Sequence, residues 1–113
     1  MQGAGDRAFC AGGDIKAYLD KNVTNQDKIN WCRDENTIYH RIHQLKSVQI
    51  SSWDGVAMGS GVGLSIFGSF TIATERTVFA MPEAKIGFFA DAGATYALSR
   101  LRNNIGFYLG LTS

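Results

Sequence analysis

Two glycine-rich turns limit what this chain can fold into. They are Phe9-Cys10-Ala11-Gly12-Gly13-Asp14 and Met58-Gly59-Ser60-Gly61-Val62-Gly63, and they draw on 13 glycines set against a single proline in 113 residues. Glycine tolerates backbone angles closed to other residues and lets a second backbone or a ligand come close. Each turn can therefore point an N–H group into a pocket. Two such groups aimed at one point form an oxyanion hole, which stabilises negative charge developing on a carbonyl oxygen. Met81-Pro82-Glu83 follows the second turn, and a carboxylate placed behind the hole can act as acid, base or nucleophile.

The composition sets outer limits. At 113 residues with 45% hydrophobic content, the chain is long enough for one small domain with a core. The low proline and the aromatic content argue against disorder. A net charge of +1 without any basic run gives no electrostatic reason to expect nucleic acid or an anionic membrane as partner. Cys10 and Cys32 lack both the number and the spacing of a disulfide framework or a zinc site, which fits a reducing compartment. No apolar run reaches the ~18 residues of a membrane span. No leader segment is visible, because Met1 runs almost directly into Gly3-Ala4-Gly5, where a strand is expected to lead in.

Alternating strand and helix signals predict an α/β architecture. Asp14 reads as the N-cap of a short helix from Ile15 to about Leu19. Gln26 to Lys46 reads as a long amphipathic helix with Trp31, Cys32, Ile38, Tyr39, Ile42 and Leu45 in one sector. Glu35 lies inside that sector, where a carboxylate is unfavourable unless it is paired or faces a cavity. Val48 to Trp53 reads as a strand closed by Asp54-Gly55, and Gly59 opens a helix running to about Phe67. Phe70 to Thr74 and Thr77 to Ala80 are short strands by their β-branched and aromatic content. Ala92 to Leu101 reads as helical, Asn103-Asn104 as a break, and Ile105 to Leu111 as a last helical turn or two.

Each glycine cluster by itself is compatible with ordinary turns. Neither fits the dinucleotide pattern Gly-x-Gly-x-x-Gly with a following acid, and Gly-Lys-Ser/Thr is absent, so a phosphate loop is excluded. His40 and His43 have the spacing of a metal pair, but no third ligand accompanies them and they read as solvated surface. Trp31, Trp53, Phe88 and Phe89 read as core rather than as a stacking platform for bases. For Ser60 the alternatives are a pocket amide or a hydroxyl that caps a helix. For Glu83 they are a desolvated carboxylate or a helix N-terminal glutamate favoured by the dipole. Asp91 is either a second carboxylate or the N-cap of the following helix, and Glu35 either faces a cavity or forms a salt bridge with Arg33 or Lys46.

The wording around the turns resembles the crotonase (enoyl-CoA hydratase/isomerase) superfamily. Ala8-Phe9-Cys10-Ala11-Gly12-Gly13-Asp14-Ile15-Lys16 is similar to its first fingerprint, and Asp54 through Ser65 to its second. Ala73 through Glu83 and Ile86 through Gly93 continue in register. Within the superfamily the resemblance is strongest to the 3-hydroxyisobutyryl-CoA hydrolase branch. It implies the ClpP-like spiral of ββα units, with residues 1–113 forming its central portion between further N-terminal strands and a C-terminal helical region.

The same resemblance assigns roles. The amides of Gly13 and Ser60 would form the oxyanion hole for a coenzyme A thioester. Glu83 and Asp91 would be the catalytic carboxylates, and Glu35 a third acidic residue at the substrate. Gly12, Gly13, Asp14 and Ile15 would line the pantetheine and adenine side. Hydratases of the superfamily carry glutamate where this chain has Gly63, so the resemblance favours hydrolysis over hydration. Coenzyme A would enter as part of the substrate, with no metal or nicotinamide cofactor. This sequence departs from the branch at Ser60, where glycine is usual, and at Ala90-Asp91-Ala92-Gly93, where Pro-Asp-Val-Gly is usual. A customary Lys-Pro is here Ser47-Val48. Hydrolase-like proteins of this branch also occur as non-catalytic components of the mitochondrial small ribosomal subunit, which is the second expectation; an enoyl-CoA isomerase is the third. All three place the chain with an acyl-CoA or within a protein assembly, and the resemblance suggests a mitochondrial location. A central portion of this fold should expose apolar surface to the remainder of the fold, to another copy or to a larger assembly.

Overall fold

The computed structural model describes residues 1–112. Two small parallel sheets run side by side. Strand β1 (Ala8–Cys10) pairs with β3 (Val56–Met58), which pairs with β5 (Val78–Ala80). Strand β2 (Ile50–Trp53) pairs with β4 (Phe70–Ala73), and Gln2 bridges to Ser52 on the other side of β2. The chain turns a sharp corner from the β2–β4 sheet into the other three times, after Gln2, β2 and β4. Each crossing is a short strand, a sharp corner and a second short strand. Every new pair stacks in parallel on the pair before it, with Ala57 opposite Phe79 and Ser52 opposite Ile72. This is the spiral of the crotonase fold.

The corners stack as closely as the strands. Val56 N–H donates to the Arg7 carbonyl at 3.4 Å, and Val78 N–H to the Gly55 carbonyl at 3.0 Å. Gly55 has φ +79°, and a Cβ there would lie 2.3 Å from the Arg7 carbonyl oxygen. The sequence signal Asp54-Gly55 thus marks the one corner residue that must be glycine on both counts. On the outer side, the Arg76 guanidinium grips the Asp54 carboxylate and donates to the Asp6 carbonyl at 3.1 Å. Thr74 Oγ1 also donates to Asp54, at 2.9 Å. The Arg76 and Thr74 hydrogen bonds hold the Asp54 carboxyl below its usual range. All three corners are therefore tied by one arginine.

Helices α1 (Ile15–Tyr18), α2 (Asn25–His43), α3 (Ser60–Gly63), α4 (Ala94–Leu98) and α5 (Ile105–Thr112) fill the connections. Asp14 caps α1 as expected, accepting from Ala17 N–H at 3.0 Å. Thr24 and Asp27 form a reciprocal capping box at the start of α2. That helix ends three residues earlier than its apolar pattern predicts, because Gln44 N–H tightens onto the His40 and Arg41 carbonyls. Strand β3 is absent from the sequence reading, since three residues between two turns are too short to show a period. The helix expected over residues 92–101 is regular only from Ala94 to Leu98. Asn103 and Asn104 take φ +59° and +60°, which asparagine tolerates and which break the chain before α5.

Phe9, Tyr39, Trp53, Ala57, Val62, Met81, Ala92, Ala94 and Leu98 form the core. Trp53 donates from its indole to Ser65 Oγ at 2.8 Å and stacks on Phe79. Of the four aromatics expected inside, only Trp53 is buried. Phe88 and Phe89 stack on each other at the surface, and Trp31 is half-buried against Tyr18. Large apolar side chains also remain exposed on β4 (Phe70, Ile72) and on α5, where Leu111 is 84% exposed.

Two tests follow from the corner geometry. Gly55→Ala combines a left-handed backbone with an overlap onto Arg7, and chemical denaturation should show a loss of about 2–4 kcal/mol. Asp54 is held ionised by its partners, so its contribution is present above the ordinary aspartate pKa and is lost as pH falls through the depressed folded value. Asp54→Asn should accordingly flatten the acid limb of a stability-versus-pH curve.

Candidate active site

The spiral brings the two glycine turns face to face. Parallel pairing of β1 with β3 ends both strands at the same edge, so the turns that follow emerge side by side. Gly61 at the start of α3 lies directly on β1, where a Cβ would be 2.6 Å from the Cys10 carbonyl oxygen. Gly59 adopts φ +50°, and a Cβ on it would lie 3.1 Å from Glu83 Oε1 and 3.7 Å from the Gly12 α-carbon. The first turn, the second turn and Glu83 are thus in van der Waals contact. Gly13 stands equally close to the next pair of groups, 3.4 Å from Ser60 Oγ and 3.8 Å from Glu35 Oε1, measured from where its Cβ would be.

These residues line one cavity of about 410 Å³. Gly12, Gly13, Asp14, Ile15, Glu35, Ser60, Glu83 and Asp91 all border it, so the residues to which the resemblance gave a catalytic or substrate-side place lie around one space. Tyr18, Trp31, Cys32, Ile86 and Phe88 supply much of the apolar wall, and Lys85 adds a cation. The sequence reading did not place this wall at the site, because its residues carry only the ordinary signature of a helix face.

Each carboxylate has a distinct setting. Glu83 sits in the first turn of a 3-10 segment, Pro82–Ile86, and is only 8% exposed. Its Oε2 has no hydrogen-bond partner among the described residues. Burial pushes its carboxyl above the usual glutamate range, and the nearby Asp91 charge adds to that. Desolvation therefore outweighs the helix-terminal setting that the sequence left as the alternative. Asp91 is raised by burial first and by the Glu35 charge second. It does not cap α4 with its side chain; Gly93 occupies the N-cap and the Asp91 carbonyl accepts from Ala94 N–H at 2.7 Å. Glu35 forms no salt bridge with Arg33 or Lys46, the only ion pair among the described residues being Arg76–Asp54. It accepts instead from Ser60 Oγ at 3.0 Å. Ser60 accordingly does not cap α3.

Position 63 is closed. A Cβ on Gly63 would lie 2.8 Å from Ala92 Cβ and from two carbons of the Tyr39 ring. No side chain fits there without moving the core. Tyr39 is 4% exposed, its hydroxyl has no hydrogen-bond partner among the described residues, and burial pushes its phenol up to about 12. His40 and His43 are exposed, and His43 packs edge-on against Phe67. Among the described residues no group of three or more side chains could hold a metal ion, and no helix is long and apolar enough to cross a membrane.

Paired glycine turns over a buried glutamate thus stand at the ends of parallel strands in a stacked spiral. A model of the enoyl-CoA hydratase/isomerase family matches residues 1–113, and the chain belongs to that family. Among curated relatives, it is 47% identical over 120 residues to the mitochondrial 3-hydroxyisobutyryl-CoA hydrolase of Dictyostelium discoideum, covering 99% of this chain and 32% of the relative. It is 46% identical over 117 residues to the small ribosomal subunit protein mS47 of Neurospora crassa, covering 100% of this chain and 23% of the relative. Among solved structures, a carnitinyl-CoA dehydratase from Mycobacterium thermoresistibile superposes with a TM-score of 0.88 at 37% identity, covering 96% of this chain and 32% of that one. The chain thus spans about a third or less of the length of these relatives.

The raised carboxylates give a stability test. A carboxyl whose folded pKa lies above its unfolded value favours the fold below the unfolded pKa, and that contribution is lost as pH rises through the folded pKa. Both groups therefore weigh against the fold at neutral pH. Glu83→Gln should raise the melting temperature at pH 7, and the gain should shrink as pH falls below the ordinary glutamate range, where the carboxyl is protonated in both states.

Proposed function

We propose that this chain carries the catalytic centre of a coenzyme A thioester hydrolase that acts on 3-hydroxyisobutyryl-CoA or a close analogue in the mitochondrion. The observation that supports this most directly is the meeting of Glu83 and Asp91, both with raised carboxyls, with both glycine turns at one cavity. The closed position 63 supports it further, since a hydratase-type second glutamate has no room there. The 3-hydroxyisobutyryl-CoA hydrolase relatives at 44–47% identity point the same way.

In this reading the thioester carbonyl sits between the amides of Gly13 and Ser60. Glu83, ionised, takes a proton from water as the water oxygen attacks the carbonyl carbon. The oxyanion so formed is held by the two amides, and losing one such donor typically costs ~3 kcal/mol of barrier. Collapse breaks the C–S bond, and the proton on Glu83 passes to the departing thiolate. Direct attack by Glu83 would give an acyl anhydride that water then opens; transfer of solvent oxygen-18 into the Glu83 carboxylate distinguishes the two routes. Asp91 binds the acyl hydroxyl or assists the proton transfer. Gly12, Asp14 and Ile15 face the pantetheine and adenine side. Coenzyme A is substrate, and no separate cofactor is required. The remainder of a crotonase fold, supplied by the same or another chain, would cover the exposed apolar faces of β4 and α5.

A second reading has its own observation, the 46% identity to a mitochondrial ribosomal protein. There the same fold serves as a structural subunit without turnover. A third, isomerase, would move a double bond without releasing free coenzyme A. The deciding measurement is thiol release from 3-hydroxyisobutyryl-CoA by the intact protein. Release is expected, with Glu83→Gln lowering kcat by about 10²–10⁴-fold. The acid limb of the rate profile should lie above the usual carboxylate range, because Glu83 must ionise against its burial. No release, together with sedimentation alongside ribosomal small subunits, would replace the hydrolase reading with the structural one.

A further inference from the structure

Ser60 brings a hydroxyl to the cavity wall at a position where the branch this chain resembles usually carries glycine. The proposed chemistry uses only its amide. Ser60 Oγ donates to Glu35 Oε1 at 3.0 Å, and both residues are half-buried rather than sealed in the core. Both border the cavity, so a bound molecule can reach them. A hydroxyl within hydrogen-bond reach of a carboxylate is how an activated nucleophile is recognised, because the base takes the proton as the oxygen attacks.

The surroundings set that hydroxyl beside the place of the reacting carbon. Ser60 Oγ lies 3.4 Å from the Cβ position of Gly13, and Glu35 Oε1 lies 3.8 Å from it. Gly13 is the other donor of the candidate amide pair, so the hydroxyl stands next to both groups that would hold the carbonyl. The serine of chymotrypsin-like proteases combines nucleophile and oxyanion-hole amide in one residue in the same way. Glu83 stands against the preceding residue, 3.1 Å from the Cβ position of Gly59, and its Oε2 has no hydrogen-bond partner among the described residues. It is therefore free to act on water while Glu35 acts on Ser60.

We propose that Ser60 is a catalytic nucleophile that carries the acyl group between the thioester and water. Ser60 Oγ attacks the thioester carbon as its proton passes to Glu35. The C–S bond breaks and Glu35 returns that proton to the departing thiolate, which leaves an acyl ester on Ser60 and free coenzyme A thiol. Water then attacks the ester carbon and gives one proton to Glu83. The C–Oγ bond breaks, and the proton on Glu83 passes to Ser60 Oγ to restore the hydroxyl. The sum is one thioester opened by one water, with two carboxylates serving two successive proton transfers.

The inference rests on the acyl-CoA reading, so the test separates the two. Glu83→Gln removes the base of the second step, cannot itself form an anhydride with the acyl group, and relieves a buried charge, so the variant should fold. Mixed with excess 3-hydroxyisobutyryl-CoA, the intact Glu83→Gln protein should release a burst of about one thiol per chain. Release should then slow by about 10²–10⁴-fold. Mass spectrometry of its peptides should find the acyl group on Ser60. Adding Ser60→Ala should remove both burst and adduct, and adding Glu35→Gln should slow the burst by at least about 10-fold. Wild-type turnover with no burst in Glu83→Gln, or an acyl group on any other residue (Cys32 of the cavity wall included), would overturn the nucleophile and leave the hydrolase reading intact. Thiol release by neither wild type nor variant would overturn both.

Discussion

Close approach of two backbones governs this structure. The turn after β1 and the turn after β3 touch because the strands pair in parallel and because Gly59 and Gly61 present no Cβ to what lies against them. Parallel pairing sends both strands out at one edge, as in other parallel α/β sheets, where ligand sites gather beyond the carboxyl ends of the strands. The cavity, the candidate amide pair and the place of Glu83 against Gly59 all follow from that contact. A side chain at Gly61 would force α3 off β1 and separate the groups that the site needs together.

The price of the site is paid in buried charge. Besides the helix-capping Asp14, three carboxylates border one largely apolar cavity, and among the described residues none of the four forms an ion pair. Burial and mutual repulsion raise Glu83 and Asp91, which weakens the fold at neutral pH and moves both groups towards the range where a proton can be exchanged. Glu35 is handled differently, by a direct hydrogen bond from Ser60. The contrast between two strained acids and one satisfied one is the electrostatic signature of this cavity.

The outer side of the spiral works by other means. Arg76 reaches across all three corners and binds through charge-assisted hydrogen bonds that are open to solvent. Such bonds are weak singly, and together they join three successive corners of the spiral. Apolar surface on β4 and α5 remains exposed. Relatives about three times as long carry the same fold, which is consistent with further tiers and helices packing on these faces.

Much of this was legible in the residues. Gly12-Gly13, Gly59-Ser60-Gly61 and Pro82-Glu83 identify the family because glycine and proline act locally, through backbone angles and absent side chains. The cap at Asp14, the corner at Gly55 and the break at Asn103-Asn104 are local for the same reason. Periodicity failed where elements are shorter than their own repeat, as in β3, and where the last turn of α2 tightens. Only the tertiary structure brought Ser60 against Glu35 and the Tyr39 ring against Gly63. Their significance lies in a contact between α2 and α3 that no spacing in the chain encodes, because it depends on where a folded spiral sets one helix against another. Only the fold, too, showed that Gly63 is a filled position. A sequence displays the missing side chain, but the ring that occupies its place comes from a different helix.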